Sequence, residues 1–303
     1  MKYLRFIKFE HTLFSLPLLF SGTLLAVGAI HELPLRIYLL ILTAGIGARI
    51  VSLSLNRIID RWIDLRNPRT RERELPSRKI SSRESWTIVS VGLLIYLLSA
   101  YLISPICLFL SPIPVFIFIL YPFMKRYTLL SHFGVGLGLS MAPLGGWLAG
   151  VFGGVEFPIT NNQSPITSYY LLPPLLLSLF TFFWVSGFDI IYSTLDEEFD
   201  RREGLFSMPA QWGRKKALQL SALLHFLAFL SIFGLFVSGL SGLSGLPITN
   251  YQSPITIQFF LLLLIGFLLF WEHRKAEDVE LAFFKVNAIL GFVVFLFVAS
   301  GTI

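Results

Sequence analysis

Cysteine, histidine and charge are all scarce in this sequence of 303 residues. The one cysteine, Cys107, lies in an apolar run, which excludes an internal disulfide framework and a thiolate-based metal site. The five histidines are scattered and form no metal-binding pair, and we expect His11 and His132 to have structural roles. Only 14% of the residues are charged, whereas 55% are hydrophobic and the mean hydropathy is +0.73. This composition indicates a membrane protein rather than a soluble one.

Apolar runs of about 20 residues recur along most of the chain, and each is long enough to cross a hydrocarbon core of about 30 Å as a helix. The first run is too long for a signal peptide and more spans follow it, so we predict that it is the first helix. The nine predicted spans are 12–30, 36–60, 86–104, 106–122, 133–152, 169–192, 216–239, 257–272 and 280–300. We therefore predict an all-α polytopic membrane protein, with one transmembrane domain over residues 1–303 and about nine helices around a central cavity.

The basic residues gather in alternate loops. They lie near the N-terminus, in 57–83, at Lys125 and Arg126, in 201–216, and at Arg274 and Lys275. Because cytosolic loops of membrane proteins are enriched in Lys and Arg, this pattern predicts a cytosolic N-terminus, an external C-terminus and charged loops that cap the cytosolic face of the cell membrane. Membrane topology also explains the net charge of +6 without any nucleic-acid partner.

One stretch of ten residues is repeated. "PITNNQSPIT" (158–167) and "PITNYQSPIT" (247–256) differ at a single position. Their Pro, Asn and Ser content predicts turns in two external loops. A duplicated loop that stabilises the outer face is the simplest interpretation.

The acidic residues are concentrated in two short windows. Of the 18 in the chain, five fall in 57–84 and six fall in 189–203. The five are Asp60, Asp64, Glu72, Glu74 and Glu84, and the six are Asp189, Asp196, Glu197, Glu198, Asp200 and Glu203. Ordinary solvated loops would spread these acids over the whole cytosolic side. The concentration therefore indicates either two loops that balance their own charges or two halves of one site.

The spacing inside each window places the polar residues in rows. The first row, Asn56, Asp60 and Asp64, has steps of four residues and lies along one helix face. The second row, with steps of seven and four, is Asp189, Asp196 and Asp200. Like charges in a row destabilise a helix, and an Asp inside the membrane costs up to about 3 kcal/mol. A divalent cation would compensate, and carboxylates without His or Cys favour Mg²⁺, which usually shares its coordination with phosphate.

Arginines follow the first row directly. Arg69, Arg71, Arg73 and Arg78 lie in "NPRTRERELPSRKI" (67–80). These side chains can pair with phosphates or with the acidic rows. A divalent metal, several cations and a membrane cavity together favour a diphosphate attached to a lipid as the ligand.

The two rows lie in motifs that resemble a known family. "NRIIDRWID" (56–64) and "DIIYSTLDEEFD" (189–200) resemble the two aspartate-rich motifs of the UbiA superfamily of intramembrane prenyltransferases. The stretch after the first motif and "YPFMKR" (121–126) are also similar, and the resemblance extends from "IKFEH" near residue 7 to "EGLFSMPAQWG" ending at 213. One position departs from the pattern, because many members have Asp directly after the motif Asn and this chain has Arg57.

The resemblance implies Mg²⁺-dependent transfer of a polyprenyl group from its diphosphate to an acceptor. Metal ions on the diphosphate would assist ionisation to an allylic carbocation, which the acceptor then attacks at C1. Water must be excluded from such a cation, and a site near the cytosolic face beneath two charged loops would exclude it. The expected partners are a prenyl diphosphate, an aromatic or lipid acceptor and membrane lipid.

The resemblance also implies roles for individual residues. The implied metal ligands are Asp60, Asp64, Asp196 and Asp200, with Asn56 and Asp189 in support. The implied diphosphate-binding residues are Arg69, Arg73, Lys125 and, on the first helix, Lys8. Tyr121 is expected to face the carbocation or to bond the leaving group. The alternative is that Tyr121 belongs to an aromatic belt and Lys125 anchors the helix end.

Arg49 lies inside the second predicted span, seven residues before Asn56 and therefore on the same face. A charge at that depth normally faces a cavity or a partner. Because Arg binds a carboxylate through two parallel hydrogen bonds, we hypothesise that Arg49 meets a carboxylated aromatic acceptor. An internal ion pair or a contact with the helix backbone is the alternative.

Three rival functions deserve comparison. An archaeal-type member of the superfamily would prenylate geranylgeranylglyceryl phosphate in ether-lipid synthesis, and Arg49 could bind that phosphate. "IKFEHTLFSLP" and the stretch 187–213 are more similar to the members that act on 4-hydroxybenzoate or hydroxynaphthoates in quinone biosynthesis. The motif of CDP-alcohol phosphotransferases is absent from the sequence. A transporter would carry its carboxylates near the membrane midplane, whereas these lie at the predicted inner ends of the spans.

Overall fold

The computed structural model describes residues 2–7, 12–30, 33–153, 168–240, 255–276 and 285–302. Within these ranges the chain is helical and contains no strand, so the all-α prediction is confirmed. The helices are α1 (Lys2–Phe6), α2 (Thr12–Ile30), α3 (Leu35–Ile59), α4 (Arg61–Arg66), α5 (Ser82–Ile103), α6 (Pro105–Leu110), α7 (Pro112–Met124), α8 (Ser131–Gly153), α9 (Ser168–Ser193), α10 (Glu197–Glu203), α11 (Met208–Trp212), α12 (Arg214–Leu240), α13 (Ile255–Arg274) and α14 (Asn287–Thr302). A 3₁₀ turn, Thr194–Asp196, joins α9 to α10.

The predicted spans correspond to the long apolar helices. In the described ranges, seven helical segments are long and apolar enough to cross a membrane. Two shorter apolar helices, Ser15–Val27 and Asn287–Thr302, lie where the first and ninth spans were predicted. The prediction of about nine membrane helices agrees with this arrangement.

The fourth predicted span, 106–122, differs in detail because it is divided. Helix α6 ends at Leu110 and α7 begins at Pro112, with Ser111 between them. A proline has no N–H to continue the hydrogen-bond ladder, but its fixed φ suits the first position of a new helix. The two short helices together cover the length of one span.

Helices α2 and α8 form a close pair that stands between the two halves of the bundle. On one side α3 packs against α5 and α7, and on the other α9 packs against α12. A Cβ atom on Gly22 would lie 1.9 Å from the carbonyl oxygen of Pro143, and one on Gly146 would lie 1.9 Å from that of Leu19. Glycine therefore allows the two backbones to touch, as small residues do in other membrane helix pairs.

The two halves differ in how they are filled. The largest buried apolar cluster joins α9, α12, α13 and α14 to α2 and α8, and its members include Phe180, Trp184 and Leu290. A cavity of about 390 Å³ lies on the other side, bounded by α2, α3, α5, α6, α7 and α8. We call these regions the packed half and the hollow half.

Charged side chains gather at one end of the bundle, which we call the charged cap (residues 60–81 and 194–213). Its first part continues from α3, because the N–H of Asp60 donates to the Asn56 carbonyl at 2.9 Å. Ser81 and Glu84 then form a reciprocal capping box that begins α5. In the second part, Gly204 adopts φ +68° and ends α10.

Several sequence predictions fall outside the described residues. These are Lys8, His11, the repeat 158–167 and all but the last two residues of the repeat 247–256.

Candidate active site

Asp60 occupies the junction between α3 and α4 and is 4% exposed. Its Oδ2 accepts hydrogen bonds from Lys125 Nζ at 2.7 Å and from Asn56 Nδ2 at 3.3 Å. Arg126 Nη2 lies 3.2 Å from Oδ1. Burial raises the pKa of Asp60 above its usual range, and the charge of Lys125 opposes that change. The first row is thus linked directly to the end of α7, because Lys125 immediately follows the last residue of that helix.

Asp64 lies one helical turn beyond Asp60 and is 5% exposed. Arg73 Nη1 donates to both of its carboxylate oxygens at 2.9 Å. The Thr70 hydroxyl donates to the backbone carbonyl of Asp64 at 3.1 Å. The loop after α4 therefore folds back over the first row and places a guanidinium on it.

Asp196 joins the two acidic windows. Arg69 donates to both oxygens of this carboxylate, from Nε at 2.9 Å and from Nη2. Asn67 Nδ2 donates to Oδ1 at 2.7 Å, and Arg69 Nη1 donates to the Tyr192 hydroxyl at 2.7 Å. Although burial alone would lower it, the pKa of Arg69 is raised because the hydrogen bonds to Asp196 favour the charged form.

The other two acids of the second row, Asp189 and Asp200, have different partners. His132 Nδ1 lies 2.7 Å from Asp189 Oδ2, and the backbone N–H of Met208 donates to His132 Nε2 at 3.3 Å. Since Nε2 accepts a hydrogen bond, Nδ1 carries the proton and donates to the Asp189 carboxylate. Asp200 is half-buried and lies within electrostatic range of Lys125.

Tyr121 and Arg49 connect the charged end to the cavity. Tyr121 lies close to Ser52 and is within electrostatic range of both Asp60 and Arg49. Arg49 and Ser52 both line the cavity, whose other walls are mainly apolar. A polar path therefore leads from Asp60 past Tyr121 to an apolar chamber that contains one cation, Arg49, among its lining residues.

The donor set of the two rows fits a hard divalent cation in chemical type, because it consists of carboxylate and amide oxygens. In the described part of the chain, however, no three His, Cys, Asp or Glu side chains come close enough to share one ion. Asp60, Asp64 and Asp196 each form an ion pair with a basic side chain instead. Asp60 Oδ1 is buried and faces Arg126 without a hydrogen bond of acceptable angle, so a metal ion that displaced Arg126 could bind this oxygen.

The structure thus brings together most of the side chains that the sequence singled out. Asn56, Asp60 and Lys125 form one group, Asp64 and Arg73 a second, and Asp196 and Arg69 a third. Sequence reasoning gave no site role to Asn67, Arg126, Tyr192 or His132, and each of these contacts a predicted residue or its neighbours. The sequence could have indicated Asn67, because this residue directly precedes the stretch that carries the arginines. His132 gave no signal, because its partner lies 57 residues away.

Comparison with known proteins gives a consistent result. A sequence model described as the UbiA prenyltransferase family matches residues 15–289. A protein named 4-hydroxybenzoate octaprenyltransferase from Francisella tularensis subsp. novicida (strain U112) is 30% identical over 202 residues, which is 66% of this chain and 65% of that protein. The chain therefore spans slightly less than two thirds of the length of this curated relative.

Two solved structures share the fold over nearly the whole chain. The apo structure of a UbiA homolog from Aeropyrum pernix K1 has a TM-score of 0.78 and 31% identity, and covers 96% of this chain and 97% of its own. A UbiA homolog from Archaeoglobus fulgidus, bound to GPP and Mg²⁺, has a TM-score of 0.69 at 19% identity, with coverage of 99% and 98%. At that lower identity the likeness shows the fold alone. With a family match that spans most of the sequence, this helical membrane protein belongs to the UbiA prenyltransferase family.

Proposed function

We propose that this chain is an intramembrane prenyltransferase, formed by one transmembrane domain, that transfers a polyprenyl group from its diphosphate to an aromatic acceptor in quinone biosynthesis. The observation that carries the proposal is the junction of two regions: paired acidic and basic side chains at the charged cap lead directly into an apolar cavity. A diphosphate needs the first region and a prenyl chain needs the second. The name of the Francisella relative supports 4-hydroxybenzoate or a related hydroxynaphthoate as the acceptor.

The proposed metal ligands are Asp60, Asp64, Asp196 and Asp200, with Asn56 and Asp189 in support. When bound there, Mg²⁺ would neutralise the diphosphate and make it a better leaving group. Binding would require the carboxylates to exchange their present basic partners for the ion. Those basic side chains, Arg69, Arg73 and Lys125, would then be available to donate to the phosphate oxygens.

The reaction breaks the C1–O bond of the prenyl diphosphate, joins C1 to a ring carbon of the acceptor and releases the ring proton. Tyr121 would lie beside C1, where its ring can face developing positive charge or its hydroxyl can bond the leaving oxygen. The charged cap would cover the reacting atoms and keep water from C1. Arg49 would hold the acceptor carboxylate at the inner end of the cavity.

The distribution of basic residues supports an orientation with the N-terminus and the charged cap in the cytosol and the C-terminus outside. In that orientation the site would be open to a prenyl diphosphate from the cytosol. Cysteine labelling of Ser81→Cys in sealed vesicles, in a Cys107→Ser background, tests the orientation. In right-side-out vesicles we expect Ser81→Cys to be labelled only after the membrane is permeabilised.

The function is tested with purified protein, Mg²⁺ and geranylgeranyl diphosphate, offered 4-hydroxybenzoate or geranylgeranylglyceryl phosphate in parallel. We expect mass spectrometry to find a prenylated benzoate that disappears with Asp60→Ala. A diether phosphate would move the protein to ether-lipid synthesis and leave the site intact. Failure to bind the prenyl diphosphate with Mg²⁺ would contradict the proposed site itself, and Mg²⁺-independent flux through the protein would indicate a transporter.

A further inference from the structure

Arg57 directly follows Asn56 of the first row, and its side chain pairs with Glu74 while lying within electrostatic range of Asp64 and Arg73. It is 4% exposed, in the last turn of α3. Its Nη1 donates to Glu74 Oε2 at 3.3 Å, and its Nη2 donates to the backbone carbonyl of Arg5 at 3.4 Å. The guanidinium also lies 5.6 Å from the centre of the Phe6 ring. The residue therefore joins α3 to the loop after α4 and to α1.

The segment that Arg57 holds is the cap loop, residues 67–80. This loop carries Arg69 and Arg73 to the two acidic rows. It folds on itself through backbone hydrogen bonds such as Ile80 N–H to the Glu74 carbonyl at 3.0 Å. Glu74 is thus both the partner of Arg57 and part of the turn that returns the chain to α5.

Helix α1 packs against the cap loop. Phe6 is fully buried with Leu75 and Ile80 of the cap loop. At the other end of α1, Lys2 Nζ lies 3.0 Å from Glu84 Oε1, which also accepts a hydrogen bond from the Tyr3 hydroxyl at 2.8 Å. The N-terminal helix therefore contacts the cap loop through Phe6 and the start of α5 through Glu84, while Arg57 contacts the loop through Glu74.

We infer that Arg57 is a positioning residue for the cap loop, which it fixes through Glu74 so that Arg69 and Arg73 are held ready for an anionic ligand. A buried guanidinium with one carboxylate partner is a rigid anchor, because removing either partner leaves a charge without compensation. Arg suits this role better than Lys since its planar fork serves Glu74 and the Arg5 carbonyl together. That the ligand is a prenyl diphosphate rests on the proposed function, whereas the fixing of the loop does not.

The first arm of the test measures the loop directly. The segment 66–79 contains six trypsin sites, so its cleavage rate in the ligand-free protein reports how firmly the loop is held. We expect Arg57→Gln and Glu74→Gln each to raise that rate about tenfold, and the double variant to be no faster than the faster single one, because both remove the same contact. Arg57→Lys should restore part of the protection.

The second arm measures the ligand. Both single variants should weaken binding of geranylgeranyl diphosphate with Mg²⁺ about tenfold, while the acceptor KM stays within about twofold of the wild type. Arg83→Gln, which changes an exposed arginine at the start of α5, is the matched control and should alter neither cleavage nor binding.

Unchanged cleavage in both Gln variants would overturn the inference, as would additive effects in the double variant. Equal losses for prenyl diphosphate and acceptor, together with a lower Tm, would show a merely structural role and also overturn it. If Arg57→Gln does not fold, Glu74→Gln decides, since Glu74 lies nearer the surface. If the wild type binds no prenyl diphosphate, the proposed function fails, but the cleavage arm still decides whether Arg57 fixes the loop.

Discussion

Three carboxylates are buried in the described part of the chain, and they lie in two contrasting regions. At the charged cap, Asp60 and Asp64 contact Lys125 and Arg73 at 2.7 and 2.9 Å. In the packed half, Glu272 is fully buried, and His225 Nε2 lies 3.9 Å from its Oε2. That distance is too long for a hydrogen bond. Both regions bury carboxyl groups, but only the cap surrounds them with cations.

The difference lies in where the partners are placed. Arg73 belongs to a loop and Lys125 follows the end of a helix, so we expect both to shift when a metal ion or an anion binds. His225 lies in the interior of α12 and Glu272 in the last turn of α13, and close packing fixes both side chains. We therefore expect charge at the cap to serve ligand exchange, whereas the carboxyl group in the packed half is a fixed feature of the core. Four predictions test that contrast.

The largest expected effect is at the cap. Asp64→Asn keeps the shape of the side chain but removes the charge that a metal and Arg73 require, so we expect kcat/KM for prenyl transfer to fall at least about 100-fold. Glu198→Gln changes an exposed acid in the second window and should stay within about twofold. Steady-state kinetics with varied Mg²⁺ measures both. Activity of Asp64→Asn close to that of the wild type would remove Asp64 from the proposed metal site.

The next effect concerns the cavity. Arg49→Leu should raise the acceptor KM about 10- to 100-fold, because a charge-assisted hydrogen bond contributes about 1.5–3 kcal/mol, and should leave the prenyl-diphosphate KM nearly unchanged. Arg36→Leu, an exposed change near the other end of the same helix, is the control. A larger rise in the prenyl-diphosphate KM than in the acceptor KM would contradict the assignment of Arg49.

A smaller effect is expected where the cap meets α8. His132→Ala removes the donor to Asp189 and the acceptor for Met208, and should lower kcat/KM about tenfold. His132→Asn can still donate to Asp189, so it should lose less. Equal losses in the two variants would show that the contact with Asp189 does not support the reaction.

The sequence predicts the membrane architecture well because apolar length is a local property. A run of about 20 apolar residues has few other solutions than a membrane helix, so the spans could be read directly. The division at Ser111 was missed because the run 106–122 is apolar over almost its whole length, and apolar length alone does not show where a proline begins a new helix. Pairings in the cap could not be read, since Arg69 and Asp196 are 127 residues apart. Arg57 was recognised as a departure, but only the fold shows that it contacts Glu74 and the Arg5 carbonyl.

The smallest expected effect is in the packed half, where it should have the opposite sign. Neither oxygen of Glu272 receives a hydrogen bond of acceptable geometry, although Trp184 and Asn287 lie nearby. At pH 8 a buried carboxyl group must either keep its proton or carry an uncompensated charge, and both cost stability, whereas an amide of the same shape needs neither. Glu272→Gln should therefore stabilise the fold by about 1–2 kcal/mol and raise Tm by a few degrees at pH 8, with activity unchanged. Thermal unfolding in detergent measures the shift, with Glu198→Gln as the exposed control. A lower Tm for Glu272→Gln would contradict the prediction, because it would show that the carboxyl group stabilises the packed half.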